Sequence, residues 1–109
     1  MAYDETLARR LREILGNRPD LVERKMFGGL AFLVAGHMCV GVVGDTLVAR
    51  VGPDQYADAL SRPFSREMDF TGKSMKGFVY VDSAGIESEF DLEFWVALCQ
   101  SFVKSLPPK

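Results

Sequence analysis

Leu7, Leu11, Ile14 and Leu15 recur at helical spacing near the start of the chain, while Arg9, Arg10, Arg12 and Glu13 fall on the other faces. That pattern predicts an amphipathic helix over residues 4–15, with Asp4 as N-cap and Gly16 as the stop. After a loop marked by Asn17, Pro19 and Asp20, the period changes. Residues 22–27 alternate weakly and run into Gly28-Gly29. Residues 30–34 and 37–43 are continuous apolar runs separated by Ala35-Gly36, and Gly44-Asp45 is a two-residue hairpin turn leading into residues 46–51. Successive strands joined by tight turns predict an antiparallel meander. Gly52-Pro53 opens a short helix over residues 53–60, with Tyr56, Ala59 and Leu60 turned inward. Arg62-Pro63 begins a loop. Two shorter strands are expected at 67–70 and 78–81, with a turn at 71–74 around Gly72.

The last helix has the plainest pattern. Ser88 and Asp91 stand three apart, as in a capping box with Asp in the acidic position. Leu92, Trp95, Cys99, Phe102 and Leu106 follow at spacings of three and four, and Val96 and Val103 widen the stripe. Pro107-Pro108 ends it. The predicted order is α-β-β-β-β-α-β-β-α. It implies one α+β domain over residues 1–109: a mainly antiparallel sheet of five to six strands with three helices packed over it.

Composition agrees with a single core. The chain has 109 residues, 48% of them apolar, with eight Phe, three Tyr and one Trp. A net charge of −2 argues against direct binding of nucleic acid or an anionic membrane. The charge is uneven: residues 82–109 carry two Lys or Arg against five Asp or Glu. No apolar run approaches the ~20 residues of a membrane span, and the first fourteen residues are charged and helix-patterned, unlike a signal peptide. The expected location is the cytoplasm. Cys39 and Cys99 each lie inside an apolar run and are expected as buried, reduced thiols.

The strands pose a question of coverage. Leu30, Phe32 and Val34 alternate with Ala31 and Leu33. Met38, Val40 and Val42 alternate with Cys39 and Val43, so both sheet faces are apolar. The long helices cover one face. The other either meets a partner or lies under segment 62–77, with its Pro63, Phe64, Met68 and Phe70.

Residues 24–32, Arg-Lys-Met-Phe-Gly-Gly-Leu-Ala-Phe, continue through Gly36-His37-Met38-Cys39 and then residues 45–52, Asp-Thr-Leu-Val-Ala-Arg-Val-Gly. A second block spans residues 68–81, Met-Asp-Phe-Thr-Gly-Lys-Ser-Met-Lys-Gly-Phe-Val-Tyr-Val. Together these blocks resemble the signature of the TfoX (Sxy) N-terminal domain family, in its short, stand-alone form, over nearly the whole chain. The resemblance implies a fold similar to type III secretion chaperones, often dimeric. It also implies kinship with a bacterial competence regulator that has a second, C-terminal domain and acts in transcription alongside a cyclic-AMP receptor protein. It carries over no catalytic residues.

The candidate chemistry is sparse. Gly28-Gly29 offers bare backbone to a ligand or peptide, or marks a sharp turn between strands. Gly72-Lys73-Ser74 looks like the end of a phosphate loop, but Glu67 stands where the earlier glycine belongs and a strand follows where a helix is needed. Arg66, Lys73 and Lys76 form a small basic cluster near Phe70 and Phe78, offset by Glu67 and Asp69. His37 is the single histidine and has no nucleophile or carboxylate placed beside it by motif; with Cys39 it falls short of a metal set. No catalytic residue, cofactor or metal is therefore assigned. The candidate partner or ligand surface is Phe27, Gly28, Gly29, His37, Lys73, Met75, Lys76 and Gly77. The expected function is a non-enzymatic protein-interaction or regulatory domain that binds a protein, a second copy included. The alternatives are a small-ligand sensor or enzyme with a pocket near Gly28, Gly29, His37 and residues 75–78, and nucleic-acid binding through Lys73 and Lys76.

Overall fold

A computed structural model describes residues 3–26, 28–70 and 73–107. The first helix, α1 (Glu5–Leu15), starts where Asp4 accepts a hydrogen bond from the backbone N–H of Thr6 at 2.9 Å and stops at Gly16. Leu7, Ala8, Leu11 and Leu15 form its buried face. Four strands follow: β1 (Leu21–Met26), β2 (Gly29–Val34), β3 (His37–Val43) and β4 (Thr46–Arg50). A short helix, α2 (Tyr56–Leu60), precedes a hairpin of β5 (Ser65–Phe70) and β6 (Lys73–Val81). After a 3-10 turn at Ser83–Gly85, α3 (Glu89–Lys104) closes the chain, capped by Ser88, whose Oγ accepts from the Asp91 N–H at 3.0 Å.

The six strands form one antiparallel sheet in the order β1-β2-β3-β4-β6-β5. The α+β class and the element order are those the sequence predicts. Boundaries differ by more than one residue in α2, β5 and β6. The short helix is confined to Tyr56–Leu60 because Pro53–Gln55 form a turn. β5 and β6 are longer than 67–70 and 78–81, since Ser65, Arg66, Lys73 and Ser74 pair as backbone although they are polar and carry little strand signal. Ser74 therefore lies in β6, paired with Asp69, and not in a turn; Thr71 and Gly72 lie outside the described residues.

A bulge resets the face of β3. Phe32 pairs with Val40 and Leu33 with Met38, which leaves Cys39 as an extra residue. Cys39, Val40 and Val42 consequently all face the helices, while Met38 turns to the opposite side. The simple alternation of Met38, Val40 and Val42 is thus broken at one point.

The helical side holds the main core. Leu11, Phe32, Val40, Leu47, Val79 and Leu92 are completely buried there, together with Cys39, Cys99 and Ala59 of α2. An Arg12–Glu23 pair, with bonds of 2.7 and 2.8 Å, ties α1 to β1. That hydrogen bonding holds the Glu23 carboxyl below its ordinary range and raises the Arg12 guanidinium. On the other face, Ala31, Leu33, Met38, Val48 and Met68 form a second buried cluster, with Met26, Val43, Phe78 and Tyr80 packed at its margin. Every member comes from a strand. Met68, from the 62–77 segment, has no exposure, so among the described residues that segment helps to close the face as an edge strand.

Candidate functional site

The structure separates the residues singled out by sequence. Gly28 and Gly29 lie at the turn into β2, against Val42 at the far end of β3, whereas His37 begins β3. Six residues of strand, roughly 20 Å at ~3.3 Å each, lie between them. A side chain at position 29 would overlap the carbonyl of Val42, and Gly28 has φ +75°. A close backbone approach therefore accounts for Gly29, and the left-handed backbone of the turn for Gly28. Phe27 lies outside the described residues, and so do the side chains of Lys73 and Met75.

At the opposite end of the sheet, the structure gathers His37, Lys76 and Gly77 with a residue that sequence reasoning passed over, Arg50. The Gly77 carbonyl accepts from the N–H groups of both Val51 and Gly52, at 2.8 and 3.1 Å. The Arg50 guanidinium stands 5.4 Å from the ring centres of both Phe78 and Phe102, and reaches the Met38 carbonyl at 3.4 Å. His37 is buried, and its Nε2–H donates to the Pro107 carbonyl at 2.6 Å, which fixes the proton on that nitrogen. These contacts lock the end of α3 onto the sheet. Lys76 is exposed. Of the basic cluster expected around it, Arg66 is instead paired with Asp82 at 3.1 Å and stacked on Tyr80 at 4.7 Å.

An open groove of about 690 Å³ runs beside the second half of α3, between Gln100, Lys104 and Leu106 on one side and Arg18, Val34 and Ala35 on the other. It contains none of the expected surface residues. Its arginine is bonded to Asp20 at 2.9 and 3.3 Å.

Exposed aromatic surface lies elsewhere, where α3 begins. Val22, Phe64 and Phe90 are the exposed large apolar residues among those described, and Phe90 is 80% exposed. Phe90 and Phe94 are four apart on α3 and so share a face. Phe94 lines a hollow of about 170 Å³ together with Phe64, Trp95, Arg62, Gly85 and Asp91. The Arg62 guanidinium stands 4.3 Å from the centre of the Phe94 ring and bonds Asp58 at 3.2 Å, while Phe94 meets Trp95 edge-on at 5.7 Å. Phe64 has φ +66°, a conformation that costs a bulky side chain ~1–3 kcal/mol. Its carbonyl accepts from the Asp82 N–H at 2.8 Å and its Cβ rests on Gly85, which hold it there. The signal for this surface was present in the sequence: Phe90 and Phe94 are aromatic residues off the buried stripe of α3.

Acidic groups ring the patch. Glu87, Asp91 and Glu93 are exposed and make no ion pair among the described residues. Glu89 is paired with Arg10 at 2.9 Å. Elsewhere, the two cysteines are buried without a disulfide. Burial pushes the Cys39 thiol up to about 12 and raises Cys99 well above the ordinary thiol range. Among the described residues, no group of three His, Cys, Asp or Glu is placed to hold a metal ion, and no helix is long and apolar enough to cross a membrane.

Fold and surface together define a class: an α+β domain built on one antiparallel sheet, with an exposed aromatic patch beside carboxylates at the start of α3. The family model of the TfoX N-terminal domain matches residues 13–103, and the chain belongs to that family. No curated protein and no solved structure matches the chain.

Proposed function

We propose that this TfoX N-terminal family member is a non-enzymatic protein-interaction domain with a regulatory role in the cytoplasm, and that it docks its partner on the Phe64–Phe90–Phe94 surface. The observation that carries this reading is the pair of exposed rings, Phe90 free on the outer face of α3 and Phe64 held outward at a positive φ. Exposed aromatics beside a hollow are the usual anchors of protein interfaces. The sheet face that sequence alone offers to a partner is a weaker candidate, because Ala31, Val48 and Met68 at its centre have no exposure. The edge strand β1 is weaker still, since its exposed Glu23, Arg24 and Lys25 discourage strand addition. A part in transcription control rests on the family relationship.

The test is affinity capture from a native lysate with the wild-type chain and with Phe90→Ser, each checked by circular dichroism. We expect a reproducible protein set that the wild type retains and Phe90→Ser loses. Identical sets would reject the docking surface. Light scattering across micromolar concentrations addresses the second-copy form: a dimer abolished by Phe90→Ser would make the partner another copy of this chain, and a monomer would leave a different protein as the occupant.

A further inference from the structure

We infer that the Phe64–Phe90–Phe94 surface takes a basic peptide segment bearing one large apolar side chain; the inference rests on the docking reading above and adds the chemistry of the partner. The apolar requirement comes from the hollow. It is small, about 170 Å³, and its lining includes Phe64, Phe94 and Trp95. A single anchor side chain fits such a depression. Phe90 projects one helical turn before Phe94 and offers a second ring for stacking.

The basic requirement comes from charge. Residues 82–93 hold Asp82, Glu87, Glu89, Asp91 and Glu93 and no Lys or Arg. Asp82 is matched by Arg66 and Glu89 by Arg10. Arg62, the cation lining the hollow, is matched by Asp58. That leaves Glu87, Asp91 and Glu93 unmatched among the described residues, next in sequence to Phe90 and Phe94 or one turn away. Asp91 itself lines the hollow. An anionic rim around an aromatic centre repels phosphate backbones and anionic lipid, and attracts Lys and Arg. The exposed ring of Phe90 would add cation–π attraction for the same groups. Phe64 is already held in its outward conformation, so little ordering is required on binding.

The experiment is selection of random twelve-residue peptides displayed on phage against the intact chain. Selected peptides are then measured by fluorescence polarisation at two salt concentrations. We expect enriched peptides to combine one Phe, Trp or Leu with several Lys or Arg. Phe90→Ser should weaken them at least tenfold. The triple change Glu87→Gln, Asp91→Asn, Glu93→Gln should weaken them at least fivefold and flatten their salt dependence. Because Phe90 and the three carboxylates are exposed, these variants keep the fold. Peptides lost on Phe90→Ser but neutral or acidic in character would overturn the charge inference and leave the docking surface standing. Enriched peptides indifferent to Phe90→Ser, or no enrichment at all, would overturn both.

Discussion

The ring of Phe102 closes over the bare Cα of Gly52, in space that any side chain at position 52 would need. Gly52 also has φ +86°. The same ring flanks Arg50, so a single residue of α3 seals the end of β4. Gly52→Ala therefore meets both a steric and a backbone penalty. We expect a loss of about 2–4 kcal/mol, combining overpacking with left-handed strain, read as a lower urea midpoint. A loss under 1 kcal/mol would show that Phe102 moves aside freely.

Arg50 couples β4 to α3 through aromatic faces, since no carboxylate among the described residues matches it. A double-mutant cycle of Arg50→Ala with Phe102→Leu isolates that contact. The coupling expected is about 0.5–1 kcal/mol, the usual range for a cation over a ring near the surface. Coupling indistinguishable from zero would reduce Arg50 to a space-filling stem.

Ala35 carries φ +53° beside Gly36 at +85° in the two-residue turn between β2 and β3. Such turns favour Asn or Gly at the first position. Ala35→Asn should raise stability by roughly 0.5–1 kcal/mol, measured as an increase in Tm of a few degrees. An unchanged or lower Tm would mean that the hydrogen bond from the Ala35 N–H to the Asp20 carbonyl already dictates the turn.

Burial of Cys39 and Cys99 gives stability an alkaline limit. Folded Cys39 titrates at about 12, well above an exposed thiol at ~8.5. Above that lower value the unfolded chain releases its thiol protons while the folded chain keeps them, so stability falls as pH rises from about 9 toward 12. Cys39→Ala should flatten part of that decline in denaturant midpoints taken between pH 8 and 10.5. In the native protein at pH 7.5, both thiols should react with an aromatic disulfide reagent only as fast as the chain opens.

The legible parts of the fold were those with strong periods. α1, β3 and α3 follow from the Leu7–Leu15 and Leu92–Phe102 stripes and the continuous run of residues 37–43. The Cys39 bulge was invisible, because an extra apolar residue in an apolar strand leaves no mark on the pattern. The polar starts of β5 and β6 were hidden for a related reason: Arg66 and Lys73 pair through backbone and carry no hydrophobic signal. The candidate site was less legible than the fold. Gly28 and Gly29 stood out by composition, but their role is local geometry, whereas Arg50 gains its place from Phe102, fifty-two positions later. Phe64 is set outward by its backbone angle, which no residue pattern announces for phenylalanine.

The docking surface is tested most directly by a photo-cross-linking phenylalanine analogue placed at position 90, with exposed Arg24 on β1 as the control position. Irradiation in cells should join position 90 to one distinct partner protein, through a basic segment identified by mass spectrometry, and position 24 to none of it. No adduct from position 90, or the same adducts from both positions, would contradict the account.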